Sequence, residues 1–411
     1  MARILVVGGS LGGLLAANML LRDGHDVTVL ERVRGSMDGR GAGIVTHDAL
    51  YTGLSRAGFT SPEGMGVAID GRVVLDARGE AIAEMAMHQV LTSWSRLYDQ
   101  LLRLLPPERY CQGATVSGLS TESAGVTVSV ELDGVLRRLH ADLVIASDGI
   151  RSSVRAVLAP EIQPAYAGYV AWRGVCDEAL LSARTLDTVF EKFGFCLPPS
   201  EQLIGYPVAG AGNDTRRGRR AYNFVWYRPA DENELARLLT DAEGRRHPLG
   251  ISPHKVNPRC IAEMRAAAHR ILAPQFAEMI EHTAQPFIQP IYDLDSRRLA
   301  YGRVALMGDA AFVARPHVGM GVTKAAEDAL ALADAIREHG ACEHALRAYD
   351  SARRVPGHKV VTRARWLGAY MQAQAQPDSA GANRNAREVM EETAIDLDRY
   401  GMRSRFQGVA H

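Results

Sequence analysis

Residues Ile4-Leu-Val-Val-Gly-Gly-Ser-Leu-Gly-Gly13 decide the fold. Four apolar residues in a row suit a strand buried on both faces, and such strands belong to parallel sheets flanked by helices. The glycines predict a tight turn, and the apolar stretch beyond them predicts a helix from about Gly12 to Arg22. Ile4 to Leu21 is almost uninterruptedly apolar behind Arg3, but glycines at 8, 9, 12 and 13 break any continuous spanning helix. The expectation is a soluble, cytoplasmic protein that does not enter a membrane.

A strand, a glycine turn and a helix in that order form a dinucleotide-binding pattern. Gly8 permits the sharp turn, and Gly13 lets the helix pack closely on the strand. The free N–H groups at the helix start, around Leu11, Gly12 and Gly13, then hold a pyrophosphate. Ser10 takes the place of the middle glycine; it is small, and its hydroxyl can donate to phosphate. Glu31 ends the next strand, Asp26–Leu30, 18 residues after Gly13. A carboxylate there accepts hydrogen bonds from ribose hydroxyls and repels a 2′-phosphate. This turn therefore calls for FAD or NAD rather than NADP, with Arg32 beside the same end of the ligand.

The rest of the chain sets the context. At 411 residues it exceeds one ordinary core. Lys plus Arg number 47 and Asp plus Glu 47, a balance that argues against a nucleic-acid partner. The five cysteines, Cys111, Cys176, Cys196, Cys260 and Cys342, are scattered with no ligand spacing, which fits reduced thiols and no metal site. Eleven aromatic residues fall between 166 and 229, and Tyr222, Phe224 and Trp226 alternate onto one strand face. The division expected is a discontinuous nucleotide-binding domain (1–78, 100–165 and 286–340), a β-rich domain (79–99 and 166–285) and a helical C-terminal segment (341–411). The last segment includes a short helix near Arg387–Tyr400.

Two further turns carry chemistry. Gly308-Asp-Ala-Ala-Phe-Val-Ala-Arg-Pro-His-Val-Gly-Met-Gly321 follows the strand Val304–Met307 and precedes a helix whose stripe is Ala325, Ala329, Leu332 and Ile336, closed by Gly340. Asp309 suits a carboxylate gripping a polyol. Gly319, Met320 and Gly321 place bare N–H groups and a helix N-terminus against developing negative charge. Asp148-Gly-Ile-Arg-Ser-Ser-Val-Arg155 follows the strand Leu143–Ser147. An Asp-Gly pair after a strand is an ordinary turn, but here it is the third such turn in one chain.

Together these turns resemble the single-component FAD-dependent aromatic hydroxylases, the para-hydroxybenzoate hydroxylase-like flavoprotein monooxygenases. Their pattern is an N-terminal GxGxxG, a DGxxSxVR segment and a GDAAHxxxPxxGxG segment. The resemblance implies a Rossmann-like α/β fold of the glutathione reductase type, interrupted by a β-sheet substrate domain. It implies that Gly8, Gly12, Gly13 and Glu31 hold the ADP half of FAD, that Asp309, after Gly308, binds the ribityl chain, and that Asp148 lies near the pyrophosphate. It makes Gly41-Ala-Gly43-Ile44 a flavin-contacting loop, Arg96 a cofactor residue ahead of a helix, and Pro316 part of the ring-edge segment. Tyr166-Ala-Gly-Tyr-Val-Ala-Trp-Arg-Gly174, Asn257-Pro258 and Arg315-Pro-His317 are most similar to the 2,6-dihydroxypyridine 3-hydroxylase branch. Three positions depart from the pattern: Ser10 for glycine, Phe312 for the usual histidine, and Thr323 for the common asparagine.

The activity so implied is hydroxylation of an electron-rich hydroxylated aromatic or N-heteroaromatic ring, with NADH or NADPH as electron donor and O2, activated on the reduced flavin, as oxygen source. Three residues are candidate proton acceptors for the substrate hydroxyl: His317, Tyr222 and His254. Two other readings stay open. One is an FAD oxidoreductase or epoxidase of the same superfamily; the other is a non-catalytic dinucleotide-binding redox partner. The Arg-rich helical segment either packs on its own domain or makes a homodimer contact.

Overall fold

The computed structural model describes residues 1–35, 43–60, 64–122, 124–372, 378–379 and 381–395. Two large sheets organise them. The first has six strands in the order Ala300–Tyr301, Val304–Leu306, Leu143–Ala146, Arg3–Val7, Asp26–Glu31 and Tyr110–Gln112. Its central pairings are parallel: Val7 lies opposite Leu30 on one side and Ala146 on the other, and Ala146 lies opposite Leu306. Ile4 to Val7 and Leu143 to Ala146 are buried throughout, which is why these segments read as unbroken apolar runs.

The helix Leu11–Arg22 covers this sheet and buries Leu14, Leu15, Met19 and Leu20 completely. Each such side chain stabilises the fold by about 1.5–3 kcal/mol. The helix Gly321–His339 packs beside it, stops at Gly340 as the sequence predicts, and buries Ala329, Leu332 and Ile336. Among the described residues no helix is long and apolar enough to cross a membrane. A separate three-stranded antiparallel meander spans Thr115–Glu122, Gly125–Leu132 and Val135–Ala141.

The second sheet has nine strands: Phe312–Val313, Phe287–Asp295, Ala165–Asp177, Ala221–Pro229, Gln202–Val208, Phe193–Cys196, Val67–Leu75, Ala81–Ser93 and Gly43–Val45, in that order. It recruits segments on both sides of the boundaries expected from sequence. Gly43–Val45 and Val67–Leu75, from within 1–78, pair with Ala81–Ser93, and Phe287–Asp295, from within 286–340, pairs with Ala165–Asp177. Hydrogen-bonding edges decide sheet membership, and composition along the chain does not register them.

The two faces of this sheet have different partners. One carries Trp172, Leu203, Tyr222, Phe224 and Trp226 and packs on the helices Glu232–Leu238, Pro258–Ile271 and Pro274–Glu281. The other carries Tyr169, Ala171, Tyr206, Val225 and Tyr227, with Met390 and Ala394 from the C-terminal segment packed on it. The last described helix is Ala386–Glu392, shorter than expected, with a capping box at Asn385 and Glu388. Beyond it, residues 396–400 of the expected helix lie outside the described residues.

Candidate functional site

Because four strands of the first sheet end in register, the turns that follow Val7, Glu31, Ala146 and Leu306 all leave the same edge. Their contacts are close. Gly8 has φ +100°, a backbone that disfavours any side chain, and a Cβ there would stand 2.3 Å from Ser147 O. A Cβ on Gly13 would stand 1.9 Å from Gly8 O, so the helix can pack this near the turn only without one. Gly12 approaches Ala325 of the helix Gly321–His339, whose Cβ would lie 3.3 Å from an added methyl. The structure thus brings three distant motifs to one edge of the sheet.

Around the first turn the polar groups are set for a ligand. Ser10 is the N-cap of the helix Leu11–Arg22, yet its side chain makes no capping hydrogen bond, which leaves the hydroxyl for a bound group. Leu11 is buried beneath it. The Glu31 carboxylate, itself buried, accepts from Gly9 N at 2.8 Å and from Val33 N at 2.8 Å, which fixes it at the strand end. Arg32 is exposed next to it. Tyr110 was not foreseen: its hydroxyl donates to Gly9 O at 3.0 Å and braces the turn from the neighbouring strand.

The second and third turns are tied together. Asp148 Oδ2 accepts from Ser153 N at 2.8 Å, while Oδ1 is buried without a partner. Burial raises its pKa above the usual carboxylate range. Arg155 Nη1 donates to Ala310 O at 2.9 Å and so joins the Asp148 turn to the Asp309 turn. Gly308 N donates to Asp328 Oδ2 at 3.0 Å. The Asp309 side chain is 58% accessible, yet protein mass around it raises its pKa through desolvation. The carboxylate is open to solvent at the strand edge, and none of its hydrogen-bonding capacity is used by the described residues. Lys324 and Asp328, one turn apart on the helix Gly321–His339, are both fully buried behind it.

This donor and acceptor set fits a flavin dinucleotide. A bare helix N-terminus with a free hydroxyl suits the pyrophosphate, a strand-end carboxylate suits the adenosine ribose, and a solvent-facing carboxylate suits a polyol chain.

The second sheet closes the crevice. Gly43 N donates to Asn223 Oδ1 at 3.0 Å, and a Cβ on Gly43 would stand 2.3 Å from the Tyr206 ring. Ile44 follows, half-buried; Gly41 and Ala42 lie outside the described residues. Arg96 Nη1 donates to Asn213 O at 2.8 Å, and Nη2 to Gly64 O. Arg96 lies in the first turn of the helix Trp94–Leu104, not ahead of it as expected, and its guanidinium ties the segments at Asn213 and Gly64 together. Pro316 opens the short turn Pro316–Val318. Gly319 lies against Ala394, Met320 is buried, and an added Cβ at Gly321 would meet nothing within 4 Å, as expected of backbone facing open space.

The three candidate proton acceptors occupy different places. His317 is fully buried, lies parallel to the Tyr169 ring at 6.3 Å and edge-on to Tyr227 at 5.1 Å, and donates from Nε2 to Ala364 O at 3.0 Å. Its Nδ1 has no partner among the described residues, and burial pushes its pKa down to about 3. Tyr222 is on the opposite face, against Phe190 and the helical layer. One-residue alternation sends Tyr222, Phe224 and Trp226 there and turns Asn223 and Tyr227 toward Gly43 and His317. His254 is exposed in the turn Pro253–Lys255. The structure brings neither Tyr222 nor His254 to His317.

The departures from the motif pattern find physical explanations. Phe312 is buried against Gly357, whose added Cβ would stand 2.3 Å from the ring. The ring fills a notch in the helix Glu343–Gly368, which a proline at 356 and glycine at 357 keep open. Thr323 is buried with Oγ1 3.0 Å from His47 Nδ1. His47 and Asn223 were missed because nothing local in sequence marks a contact across 276 or 180 positions. Lys324 and Asp328 carried a faint signal, a charged pair four apart flanking an alanine-rich stripe.

Known proteins share this fold. A family model described as FAD binding domain-like matches residues 166–293. The chain is 32% identical over 373 residues to 2,6-dihydroxypyridine 3-monooxygenase of Paenarthrobacter nicotinovorans, covering 90% of this chain and 91% of that one. The solved structure of 2,6-dihydroxypyridine-3-hydroxylase from Arthrobacter nicotinovorans superposes with a TM-score of 0.84, at 32% identity, over 90% of this chain and 93% of that one. Klebsiella pneumoniae HpxO, solved with FAD and uric acid, shares the fold with a TM-score of 0.75, at 24% identity, over 95% of this chain and 93% of that one.

Proposed function

The chain belongs to the family of FAD-dependent aromatic hydroxylases, and from that premise we propose that its substrate is a hydroxylated N-heteroaromatic ring of the dihydroxypyridine kind. It is a flavin-dependent monooxygenase that uses NAD(P)H and hydroxylates aromatic or heteroaromatic rings. When bound, FAD supplies the redox chemistry and oxygen activation that side chains lack. Everything else falls to the protein.

The residues that would hold the cofactor follow from the crevice. The turn at Gly8, Ser10, Gly12 and Gly13 takes the pyrophosphate, with Asp148 beside it. Glu31 takes the adenosine ribose, with Arg32 outside it, and Asp309 takes the polyol. Gly43, Ile44 and the backbone from Gly319 to Gly321 border the ring, and Arg96 ties the segments at Gly64 and Asn213 together.

The sheet face opposite the helical layer then receives the substrate. Tyr169, Tyr206 and Tyr227 form an aromatic wall that keeps water away. Arg173 shares the face, with Nη1 donating to Gln289 Oε1 at 2.7 Å and its buried Nε unpartnered. A guanidinium there favours an ionised ring hydroxyl, and ionisation makes the ring nucleophilic. Of the three candidate proton acceptors, position favours His317, which alone lies on this face. Held neutral and enclosed by burial, it backs the aromatic wall through Tyr169 and Tyr227 rather than removing the substrate's proton.

The observation that supports this reading best is the convergence of Gly8, Glu31, Asp148 and Asp309 on one edge, opposite a sheet face that holds Gly43 through Asn223. The test is a panel of hydroxylated pyridines and phenols scored for both stimulated NAD(P)H oxidation and a product one oxygen heavier. Stimulation by phenols alone would overturn the heteroaromatic assignment. Oxidation without product for every ring would favour a reductase, and protein that cannot be loaded with FAD would favour a non-catalytic role.

A further inference from the structure

One charged side chain in the crevice wall has no place in the reading above. Lys324 lies in the first turn of the helix Gly321–His339, its side chain is fully buried, and its ammonium makes no hydrogen bond among the described residues. Its nearest opposite charges are Asp309 Oδ1 and Asp328 Oδ2, both at 3.9 Å. An ammonium is seldom taken out of water with its three donors unused, so a specific demand for positive charge at this point has to be found.

The surrounding charges show where the demand lies. Asp328 is already satisfied: Oδ1 accepts from Arg353 Nε at 2.8 Å, and Oδ2 from Gly308 N at 3.0 Å. Glu327 is matched by Arg353 Nη2 at 2.7 Å. Tyr349, from the same helix as Arg353, donates to Leu306 O. Arg155 spends its guanidinium on the carbonyls of Ala310, Ile150 and Ile162. Asp309 is different, since among the described residues its one ion pair is with Lys324. Two influences press Asp309 toward the neutral acid, desolvation and the nearby Asp328 carboxylate, and Lys324 opposes them.

We propose that Lys324 is a positioning residue for the cofactor, acting through Asp309: it holds that carboxylate ionised and turned to the crevice, where it accepts the polyol hydroxyls of FAD. Being fully enclosed, the ammonium does not reach the crevice itself; its effect passes through the carboxylate it faces. An ionised Asp309 accepts from two hydroxyls at once, whereas the neutral acid has given up part of that capacity to a proton. The inference rests on the assignment of Asp309 to the polyol, and the experiment separates the two.

The test is the affinity of FAD for deflavinated protein, read by flavin fluorescence from pH 5.5 to 8.5. Wild-type affinity is expected to be nearly constant. Lys324→Met should bind FAD weakly at low pH and regain affinity as pH rises, because Asp309 then ionises only at higher pH. The change should approach about tenfold per pH unit below the raised pKa. Lys324→Arg should restore the flat profile. Asp309→Asn should be weak and flat. If Lys324→Met runs parallel to wild type at every pH, Lys324 does not act through Asp309 and the proposal falls. If Asp309→Asn binds FAD as tightly as wild type, the polyol assignment itself falls. Should Lys324→Met not fold, Lys324→Gln carries the same comparison.

Discussion

Asn223 Oδ1 accepts a hydrogen bond from Gly43 N at 3.0 Å, joining the middle of the nine-stranded sheet to the segment we propose as the border of the cofactor ring. On the proposed assignment the bond spans two functions, since one partner belongs to the proposed substrate face and the other to the proposed flavin loop.

Asn223→Ala removes the acceptor and leaves a part-buried N–H unpaired, at a cost of about 1–3 kcal/mol. FAD content should stay near wild type, because the dinucleotide grip lies elsewhere. NAD(P)H consumption per product formed should rise, because the ring border loosens and admits water. Unchanged coupling would show that the bond has no part in closing the site.

Gly13→Ala places a methyl 1.9 Å from Gly8 O, and both groups are backbone-anchored. The turn must open to relieve the contact. FAD affinity should fall at least about a hundredfold, or about 2.7 kcal/mol, and the protein should purify largely colourless. Retention of yellow colour with wild-type FAD affinity would refute the role given to this turn.

Tyr222 and Tyr227 lie on one strand but on opposite faces, so their phenylalanine variants should differ. Tyr222→Phe should leave kcat/KM within about twofold, since that ring packs on helices. Tyr227→Phe removes a buried hydroxyl that, like that of Tyr222, has no partner among the described residues but lies on the proposed substrate face, and KM for the ring substrate should rise by about 1–2 kcal/mol in binding terms. Steady-state kinetics with the best substrate of the panel decides, and equal effects would refute the assignment of faces.

His317 links the fold to pH. Burial pushes its pKa in the folded protein down to about 3, below the ordinary histidine value of about 6.5. Between those values the unfolded chain binds a proton that the folded protein does not, so stability rises with pH across that window. Acidification from 6.5 downward therefore destabilises the fold, by up to about 1.4 kcal/mol per pH unit from this residue. His317→Asn should flatten the dependence by that amount in urea unfolding between pH 4.5 and 7. An identical slope in the variant would mean that His317 takes up its proton without unfolding.

Legibility in the sequence divides by range. Gly8, Gly13, Glu31 and Asp309 were readable because each sits within a few residues of a strand end, and a turn's chemistry is set by its neighbours in the chain. The C-cap at Gly340 was readable for the same reason. Phe312 could be marked as a departure, but its partner Gly357 is 45 positions away on another helix, so the reason for the departure was not visible. Alternation put Tyr222, Phe224 and Trp226 together on one strand face, but periodicity cannot say which face meets a ligand and which meets helices.

By itself, then, the sequence determined a parallel nucleotide-binding sheet, its glycine turn, its two acidic partners and the family, because these depend on backbone conformation and short spacings. Tertiary structure alone decided that Asn223 holds Gly43, that Tyr222 faces away from the crevice, and that Lys324 stands behind Asp309. Those relations arise where separate segments pack against one another, and burial, which sets their electrostatics, exists only once the chain has folded.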